Sequence, residues 1–416
     1  MKKLLSLLLL AATPALAHPP VSSPSLTFLP PEGQVVDMLT QDPIVRRADA
    51  LLNAAQAEAR ARDAGPHEFT LHGGYVSRST NQTGRLDEWT AGVSRGIRLP
   101  GKADADRRIG ASGVDAAQNG LGDARHQTAL ALKNLWIAWL VAESDARQSD
   151  AEVAAYERQL SATQRSRQLG QTAMLDVEQV QAALAQARTL GAQATQARLD
   201  TKMTLQRSFP TLTLPVSPPA MPEPLAPPGS WEDWRKAVLD DNHEIKMARS
   251  EAERRDWLAK RARLDRFADP TLELRTFQEQ GGHEKGFGIG FSMPIGGALR
   301  SAAADQTAAE AAAASVAAHR VQREVEIIAE RDVIGAQQGL EAWRQSQAAA
   351  QSSAAMLARM QRAYELGDQG ITELLIARRQ DYDVRRNEAR ARAAAHSAIL
   401  QLLIDSHRIW GLGDEE

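Results

Sequence analysis

Histidine is the residue type in this chain with the widest range of possible chemistry, and its nine copies are scattered. Zinc sites on helices commonly place two ligands on one face, at i and i+4, and no histidine here has a second ligand in such an arrangement. The spacing therefore predicts no metal site, and it predicts that the histidines are solvated at the surface. The nine are His18, His67, His72, His126, His243, His283, His319, His396 and His407.

Two further patterns that can carry chemistry have simpler explanations. Gly286, Gly288 and Gly290 form the run GFGIG, but this run lacks the GxGxxG spacing of a phosphate-binding loop and no helix follows it closely. The triplet Asn81-Gln82-Thr83 fits a glycosylation acceptor and equally fits a polar turn between strands. No combination of nucleophile, acid and base stands out. The sequence therefore predicts neither an enzyme nor a cofactor.

The elements that position these residues include two predicted β-hairpins, at 66–100 and 269–296. In the second limb of each hairpin, bulky apolar residues alternate with small or polar ones, which indicates a strand that faces two different solvents. Each limb has the length of about ten residues that a tilted strand needs to cross a bilayer. Arg95 interrupts the apolar face of the first hairpin. The alternating apolar residues are Trp89, Ala91, Val93, Ile97, Leu99, Phe287, Ile289, Phe291, Met293 and Ile295.

Four strands cannot close a barrel, and an open sheet edge is not viable in lipid. The membrane interpretation therefore requires oligomerisation, to eight strands in a dimer or twelve in a trimer. The alternative is a pair of surface hairpins on a soluble helical protein.

His67, His72 and His283 lie on or near the hairpins, where they could contact passing cations.

The remainder of the sequence predicts two copies of one helical plan. Gly101 and Gly170 are 69 positions apart and Gly297 and Gly367 are 70 apart, so each copy holds a helix of roughly 100 Å. A shorter leader and a shorter return helix flank each long helix and together match its length. The predicted division is a signal peptide at 1–17, an extended lead-in at 18–31, a first repeat at 32–207, a proline-rich linker at 208–230, a second repeat at 231–410 and a tail at 411–416.

Composition narrows the class of protein. The chain has 416 residues and no cysteine, and the missing cysteine excludes disulfides, thiolate metal sites and an acylated cysteine. The net charge of −3 excludes a strongly basic nucleic-acid surface. Aromatic residues make up only 5%, and alanine is frequent, as in long, closely packed helices.

Several motifs resemble those of the TolC-like outer-membrane efflux factors. They are the paired hairpins, the run IRLPGKADADRRIGASGV after the first hairpin, and the turns RQLGQTAMLDVEQVQAAL and YELGDQGITELLIARRQ. The run EWTAGVSRGIRLPGK is most similar to the heavy-metal and cation efflux branch. The resemblance implies an α+β, mainly α fold, in which a homotrimer forms a twelve-stranded β-barrel in outer-membrane lipid, continued by a periplasmic α-helical tunnel.

The same resemblance implies partners and site residues. The partners are a periplasmic adaptor and an inner-membrane pump of the resistance-nodulation-division type, and nucleic acid is not among them. Docking to the adaptor is assigned to the helix tips, Leu169, Gly170, Leu366 and Gly367. The tunnel aperture is assigned to Tyr364, Gln369, Glu373 and Asp176. Gln369 stands where the family has an arginine and Ile376 where it has a second acidic ring, so this aperture lacks both charges.

The predicted function is a passive outer-membrane exit duct, with heavy-metal cations as the expected substrate. A drug-efflux or type I secretion duct is the alternative within the same class. A periplasmic structural or adaptor coiled-coil protein is the alternative from another class.

Overall fold

A computed structural model describes residues 26–82, 84–240 and 242–412. The predicted signal peptide, most of the predicted lead-in, Thr83 and the last four residues of the predicted tail lie outside the described residues. The elements, in chain order, are α1 (Glu32–Gln41), α2 (Pro43–Ala64), β1 (Phe69–Thr80), β2 (Gly84–Gly96), α3 (Lys102–Gln168), α4 (Met174–Ser208), α5 (Trp231–Asp240), α6 (His243–Leu264), β3 (Thr271–Glu279), β4 (Glu284–Ser292), α7 (Ala298–Glu365) and α8 (Ile371–Asp405).

The two halves repeat each other helix by helix. The long helices α3 and α7 have 67 and 68 residues, and the return helices α4 and α8 have 35 each. The leaders are pairs of 10 and 22 residues in both halves. Each long helix packs against a leader over one part and a return helix over another, α3 against α2 and α4, and α7 against α6 and α8. Contacts of α3 with α6 and α8 join the halves.

Both leaders are broken by a capped helix start. Asp42 precedes Pro43, and its carboxylate accepts a hydrogen bond of 2.8 Å from the Ile44 N–H, as expected of an N-cap before a first-turn proline. The second leader, predicted over Trp231–Leu264 as the counterpart of the first, is divided between α5 and α6. Asn242 starts a new helix there, and its side-chain oxygen accepts from the Ile245 N–H at 2.9 Å.

The largest core cluster lies where the short helices meet the middle of the long ones. Trp136 and Trp139 of α3 are fully buried in it, and the Trp136 indole donates a 3.0 Å hydrogen bond to the Phe28 carbonyl. The return helix α8 ends at Asp405, not at Trp410 as the apolar pattern predicts. The chain turns there through positive φ at His407 and Trp410, and Trp410 still packs into this core.

Close helix packing depends on glycine at two positions of α3. A Cβ added to Gly110 would lie 2.9 Å from the Ala59 Cα on α2, and one added to Gly122 would lie 2.6 Å from the His243 ring on α6. A side chain at either position would push the leader helices away from α3.

The four strands form one antiparallel sheet in the order β1-β2-β3-β4, so β1 and β4 are its edges. β2 ends at Gly96 and β4 at Ser292, which corrects the predicted alternation. Ile97 and Leu99 lie past the first of these ends, and Met293 and Ile295 lie past the second. The mainly helical fold with a small antiparallel sheet is confirmed. Closure of a twelve-stranded barrel stays a prediction.

Within residues 26–82, 84–240 and 242–412, no helix is both long and apolar enough to cross a membrane.

Candidate functional site

One face of the sheet carries a row of apolar side chains that runs from edge to edge. The register places Leu71, Val93, Leu274 and Ile289 in one row across the four strands. The neighbouring row begins with Phe69 and ends with Phe291. The side chain of Leu71 is 83% exposed and that of Ile289 is 73% exposed. A contiguous apolar face that a protein leaves exposed marks contact with lipid or with another protein.

The opposite face of the sheet is small and polar. In one row, His72, Gly92, Arg275 and Gly288 lie side by side. The glycines make room for the arginine, because a Cβ at Gly288 would lie 3.1 Å from its Nε and a Cβ at Gly92 would lie 3.3 Å from its Cβ. Phe277 is an exception on this face, with its ring over Gly286. The strands therefore have the two chemically different faces that their alternation predicts.

Arg95, which interrupts the predicted apolar face, stacks on its neighbour. Its guanidinium carbon lies 4.6 Å from the centre of the Phe69 ring, and its Nε donates to the His67 carbonyl at 3.3 Å. Both contacts are at the end of the sheet nearest the helices. There the Arg95 side chain can lie along the apolar surface while its guanidinium group stays in water.

A buried lysine joins the sheet to the helices. Lys102, the first residue of α3, is 1% exposed. Its ammonium group donates to the Phe267 carbonyl at 2.7 Å and to the Asp269 carboxylate at 2.8 Å, and it lies 3.0 Å from Asp265. Burial alone would raise the pKa of Asp269, but hydrogen bonds from Lys102, the Leu99 N–H and His67 lower it to about 2.

A second charged cluster lies beside the first. Asp106 of α3 accepts from Arg98 at 3.0 Å and from Arg261 of α6 at 3.0 Å. Arg98 also donates to the carbonyls of Arg62 and Asp63 in the last turn of α2, where the helix dipole favours a cation. Arg98, Lys102 and Asp106 all belong to the run IRLPGKADADRRIGASGV. This run is recognisable as a motif in the sequence, but only the fold shows that its charges fix the sheet to the helix ends.

At the other end of the long helices, both tips close in the same way. Gly170 has φ +76° and Gly367 has φ +80°. The Gln171 N–H donates to the Ser166 carbonyl at 3.0 Å, and the Asp368 N–H donates to the Ala363 carbonyl at 2.9 Å. These i to i−5 bonds after a left-handed glycine form the Schellman motif at each tip.

The structure brings the two tips together. Val180 of α4 packs with Ile371 and Leu374 of α8 in one cluster, which Leu160 of α3 and Tyr364 of α7 border. The Thr372 hydroxyl donates to the Gln179 side chain at 3.0 Å. Leu169 is 74% exposed and Leu366 61% exposed, so each tip presents a leucine to its surroundings.

The predicted aperture residues lie around the tips, in the last turn of α7, in the turn after it and in the first turns of the return helices α4 and α8. Tyr364 is half-buried, and its hydroxyl accepts from the Gln159 amide at 3.5 Å. Gln369 and Glu373 are exposed, and Ile376 is an exposed apolar residue at the place of the missing second acid. Asp176 lies in the first turn of α4 and accepts from the Ala173 N–H at 3.2 Å, which is the contact of a helix-start residue. The structure thus brings Tyr364 to the tip cluster, whereas Glu373 and Asp176 lie on separate helices.

The histidines correct the prediction that all of them are solvated. His126 and His396 are buried, and His396 donates to the Pro222 carbonyl at 2.8 Å. His407 packs its ring between those of His126 and His243, with centroids 5.5 Å and 4.6 Å away. These three lie more than a hundred residues apart in the sequence, so spacing along the chain carried no signal for the cluster.

Solved structures of low sequence identity share this fold over most of the chain. A membrane protein from Pseudomonas aeruginosa aligns with a TM-score of 0.77 at 16% identity and covers 95% of this chain and 98% of its own. The Campylobacter jejuni CmeC outer membrane channel aligns with a TM-score of 0.75 at 13% identity, over 92% and 86% of the two chains. The open state of the Neisseria gonorrhoeae MtrE outer membrane channel gives 0.73 at 15%, over 92% and 90%.

The chain therefore has the fold of outer-membrane channels. Residues 35–209, which run from α1 to the end of α4, match the family described as outer membrane efflux protein. That family is one of efflux ducts and not of enzymes. No curated protein sequence matches the chain significantly.

Proposed function

We propose that this protein is the outer-membrane exit duct of a tripartite efflux system. It acts as a homotrimer and receives its substrate from an inner-membrane pump of the resistance-nodulation-division type through a periplasmic adaptor. The observation that carries the proposal is the exposed apolar face on all four strands, at one end of two helices of roughly 100 Å.

The two sheet faces explain how such a duct works. The apolar face contacts lipid and the polar face, with Arg275 and His72, lines a hydrated bore. The edge strands β1 and β4 pair with neighbouring copies, so that every backbone group of the sheet is bonded in the membrane. The duct is passive, and the energy for transport comes from the pump.

Heavy-metal cations are the proposed substrate class. Support comes from the resemblance of residues 88–102 to the cation branch, and selection among ions belongs to the pump. Deleting the gene is expected to sensitise cells to divalent heavy-metal ions. Unchanged metal tolerance, with a new sensitivity to drugs or a loss of protein secretion, would favour the other duct functions.

The location and orientation can be tested with a single introduced thiol, because the chain contains no cysteine. Gln82 lies exposed in the turn between β1 and β2. We expect Gln82→Cys to react with a membrane-impermeant maleimide in intact cells. The matched control is Ser161→Cys, at an exposed position of α3, which should react only after the outer membrane is permeabilised.

The same cells separate the duct from a periplasmic scaffold. A duct sediments with the outer membrane and is extracted only by detergent. A scaffold whose hairpins never enter lipid is released by salt or osmotic shock, and its Gln82→Cys variant behaves like the Ser161→Cys control.

A further inference from the structure

Three potential metal ligands from two helices converge beside the middle of α3. Asp123 and His126 come from α3, one turn apart, and Glu244 comes from the first turn of α6. One ligand atom from each residue lies within 4.8 Å of the other two, close enough for a single ion to be shared after small side-chain rotations. His126 is buried, and the two carboxylates are half-buried, so an ion could enter from solvent.

His126 is oriented by another carboxylate. Its Nε2 lies 2.7 Å from the Asp405 Oδ1, and both side chains are buried. A histidine that binds a metal through one ring nitrogen usually donates a hydrogen bond to a carboxylate from the other. The bond to Asp405 leaves Nδ1 of His126 as the nitrogen for an ion. The second oxygen of Asp405 accepts from Gln401 at 2.7 Å, which fixes its orientation in turn.

The surroundings are built to hold imidazole rings. Gly122 of α3 leaves the space that the His243 ring occupies, since a Cβ there would overlap the ring at 2.6 Å. The His407 ring contacts both His126 and His243. The ligands therefore lie in an ordered pocket where α3, the start of α6 and the chain after α8 meet.

The cluster is not a consequence of the internal repeat, because the matching positions of the other repeat hold different residues. The leaders have equal lengths in the two repeats, as do the return helices, so positions can be matched by counting. Glu244, the second residue of α6, corresponds to Ile44 of α2, and Asp405, the last residue of α8, corresponds to Ser208 of α4. Within the described residues, α7 contacts neither α2 nor α4, so the contacts of α3 with α6 and α8 that build this cluster have no counterpart in the other repeat.

The local charge favours a cation. Asp123 and Glu244 place two carboxylates beside the buried ring of His126. The Gln127 amide lies 3.4 Å from both the Asp123 and Glu244 carboxylates and bridges them. A carboxylate in the first turn of a helix is favourable by itself, which explains Glu244 alone but not Asp123 in the interior of α3.

We propose that Asp123, His126 and Glu244 bind one divalent first-row transition-metal ion per chain, of which Zn²⁺ is the representative. Mixed imidazole and carboxylate ligands suit such ions better than Mg²⁺ or Ca²⁺, which prefer oxygen ligands alone. The site is a resident one in the helical body and does not depend on which substrate passes through the duct. A bound ion joins α3 of the first repeat to α6 of the second.

The test uses purified, tag-free, detergent-solubilised full-length protein that has been stripped with a chelator. Titration calorimetry with Zn²⁺ should show one saturable site per chain, and Co²⁺ should give the visible absorption of a low-symmetry site. Asp123→Asn and Glu244→Gln preserve side-chain shape and should each weaken Zn²⁺ binding at least tenfold. Asp115→Asn, at an exposed position two turns earlier on α3, is the matched control and should bind like the wild type.

The proposal is overturned if stripped wild-type protein shows no saturable Zn²⁺ binding, or if both ligand variants bind as tightly as Asp115→Asn. Circular dichroism and sedimentation of each variant confirm that a loss of binding is not a loss of folding. Because this readout is binding and not export, its failure leaves the proposed duct function intact, and failure of the duct leaves the site testable.

Discussion

Asp269 is the carboxylate on which the junction between sheet and helices depends. It accepts from Lys102 at 2.8 Å and from the Leu99 N–H at 3.0 Å, and its pKa in the folded protein is lowered from the ordinary 3.8 to about 2. A lowered acid pKa stabilises the fold at all pH values above the unfolded pKa, and the contribution disappears as the pH falls through the folded pKa.

The prediction is that Asp269→Asn lowers the free energy of unfolding by about 2 kcal/mol at pH 7. The substitution leaves the buried Lys102 ammonium without its closest carboxylate. The difference in unfolding free energy between the variant and the wild type shrinks between pH 4 and pH 2. Denaturant unfolding followed by circular dichroism across this pH range measures the difference. A deficit that does not change with pH would show that the loss is one of packing and not of charge.

Glu373 carries the predicted selectivity of the aperture. Its carboxylate folds back toward Gly370, where an added Cβ would lie 2.8 Å from Oε2, yet the side chain is exposed. Three copies around a narrow opening would concentrate cations, an effect that salt screens. Glu373→Gln is therefore expected to lower the cation preference and the block by multivalent cations in planar-bilayer recordings at low salt, with an unchanged yield of trimer.

The comparison variant is Asp176→Asn, whose carboxylate is already used by the Ala173 N–H. It should change ion selectivity less than Glu373→Gln. If the Glu373→Gln and wild-type channels have equal ion selectivity at low salt, Glu373 does not line the aperture and serves only as a first-turn residue of α8.

For individual residues, the sequence indicates which positions are unusual more readily than it indicates what they contact. Lys102 and Asp106 stand in a motif, but their burial follows from helix ends that meet across more than 150 residues, such as Asp106 with Arg261. The histidine cluster was missed for the same reason. No periodicity within one helix encodes a contact between α3, α6 and the end of α8.

Helix lengths were largely predictable, because glycines mark the tips and the two repeats confirm each other. The helix predicted between Gly101 and Gly170 is Lys102–Gln168, and the one between Gly297 and Gly367 is Ala298–Glu365. The break before His243 was missed, since an asparagine N-cap without a proline is a weak signal in an amphipathic run. The end of α8 was missed because apolar residues continue to Trp410, which belongs to the core without being helical.

The helix tips carry the docking prediction. Bulky residues at Gly170 or Gly367 are expected to abolish export while trimers still fold, and both positions are open to solvent. A positive φ costs a non-glycine residue about 1–2 kcal/mol, however, so these variants also strain the turn. Leu169→Asp and Leu366→Asp avoid the strain, because both leucines are exposed and their backbone is ordinary.

We expect the double variant Leu169→Asp, Leu366→Asp to reach normal abundance in the outer membrane and to reduce resistance to that of the deletion strain. Copurification of the adaptor after crosslinking should be lost in parallel. The matched control is Leu225→Asp, an equally exposed leucine in the linker, which should retain both. Retained resistance in the tip variant would place docking elsewhere.

For the whole molecule, the two repeats and the two different faces of the strands can be predicted from the sequence of a single chain. The closure of the barrel cannot. The sheet ends at β1 and β4, and the apolar face is exposed from edge to edge in a single chain. Periodicity reports which side of a strand is apolar, but it contains no information on what covers that side or how many copies meet. Twelve strands from three chains therefore rest on the physics of open edges in lipid and on the family resemblance.

The trimeric barrel is tested by the mass of the particle extracted from the outer membrane in mild detergent. Light scattering corrected for bound detergent, or native mass spectrometry, measures this mass. A trimeric barrel requires a stable complex of three chains, each with at most the 45.2 kDa of the full sequence. A stable monomer that remains folded would contradict it, because its four-stranded sheet could not close in a membrane.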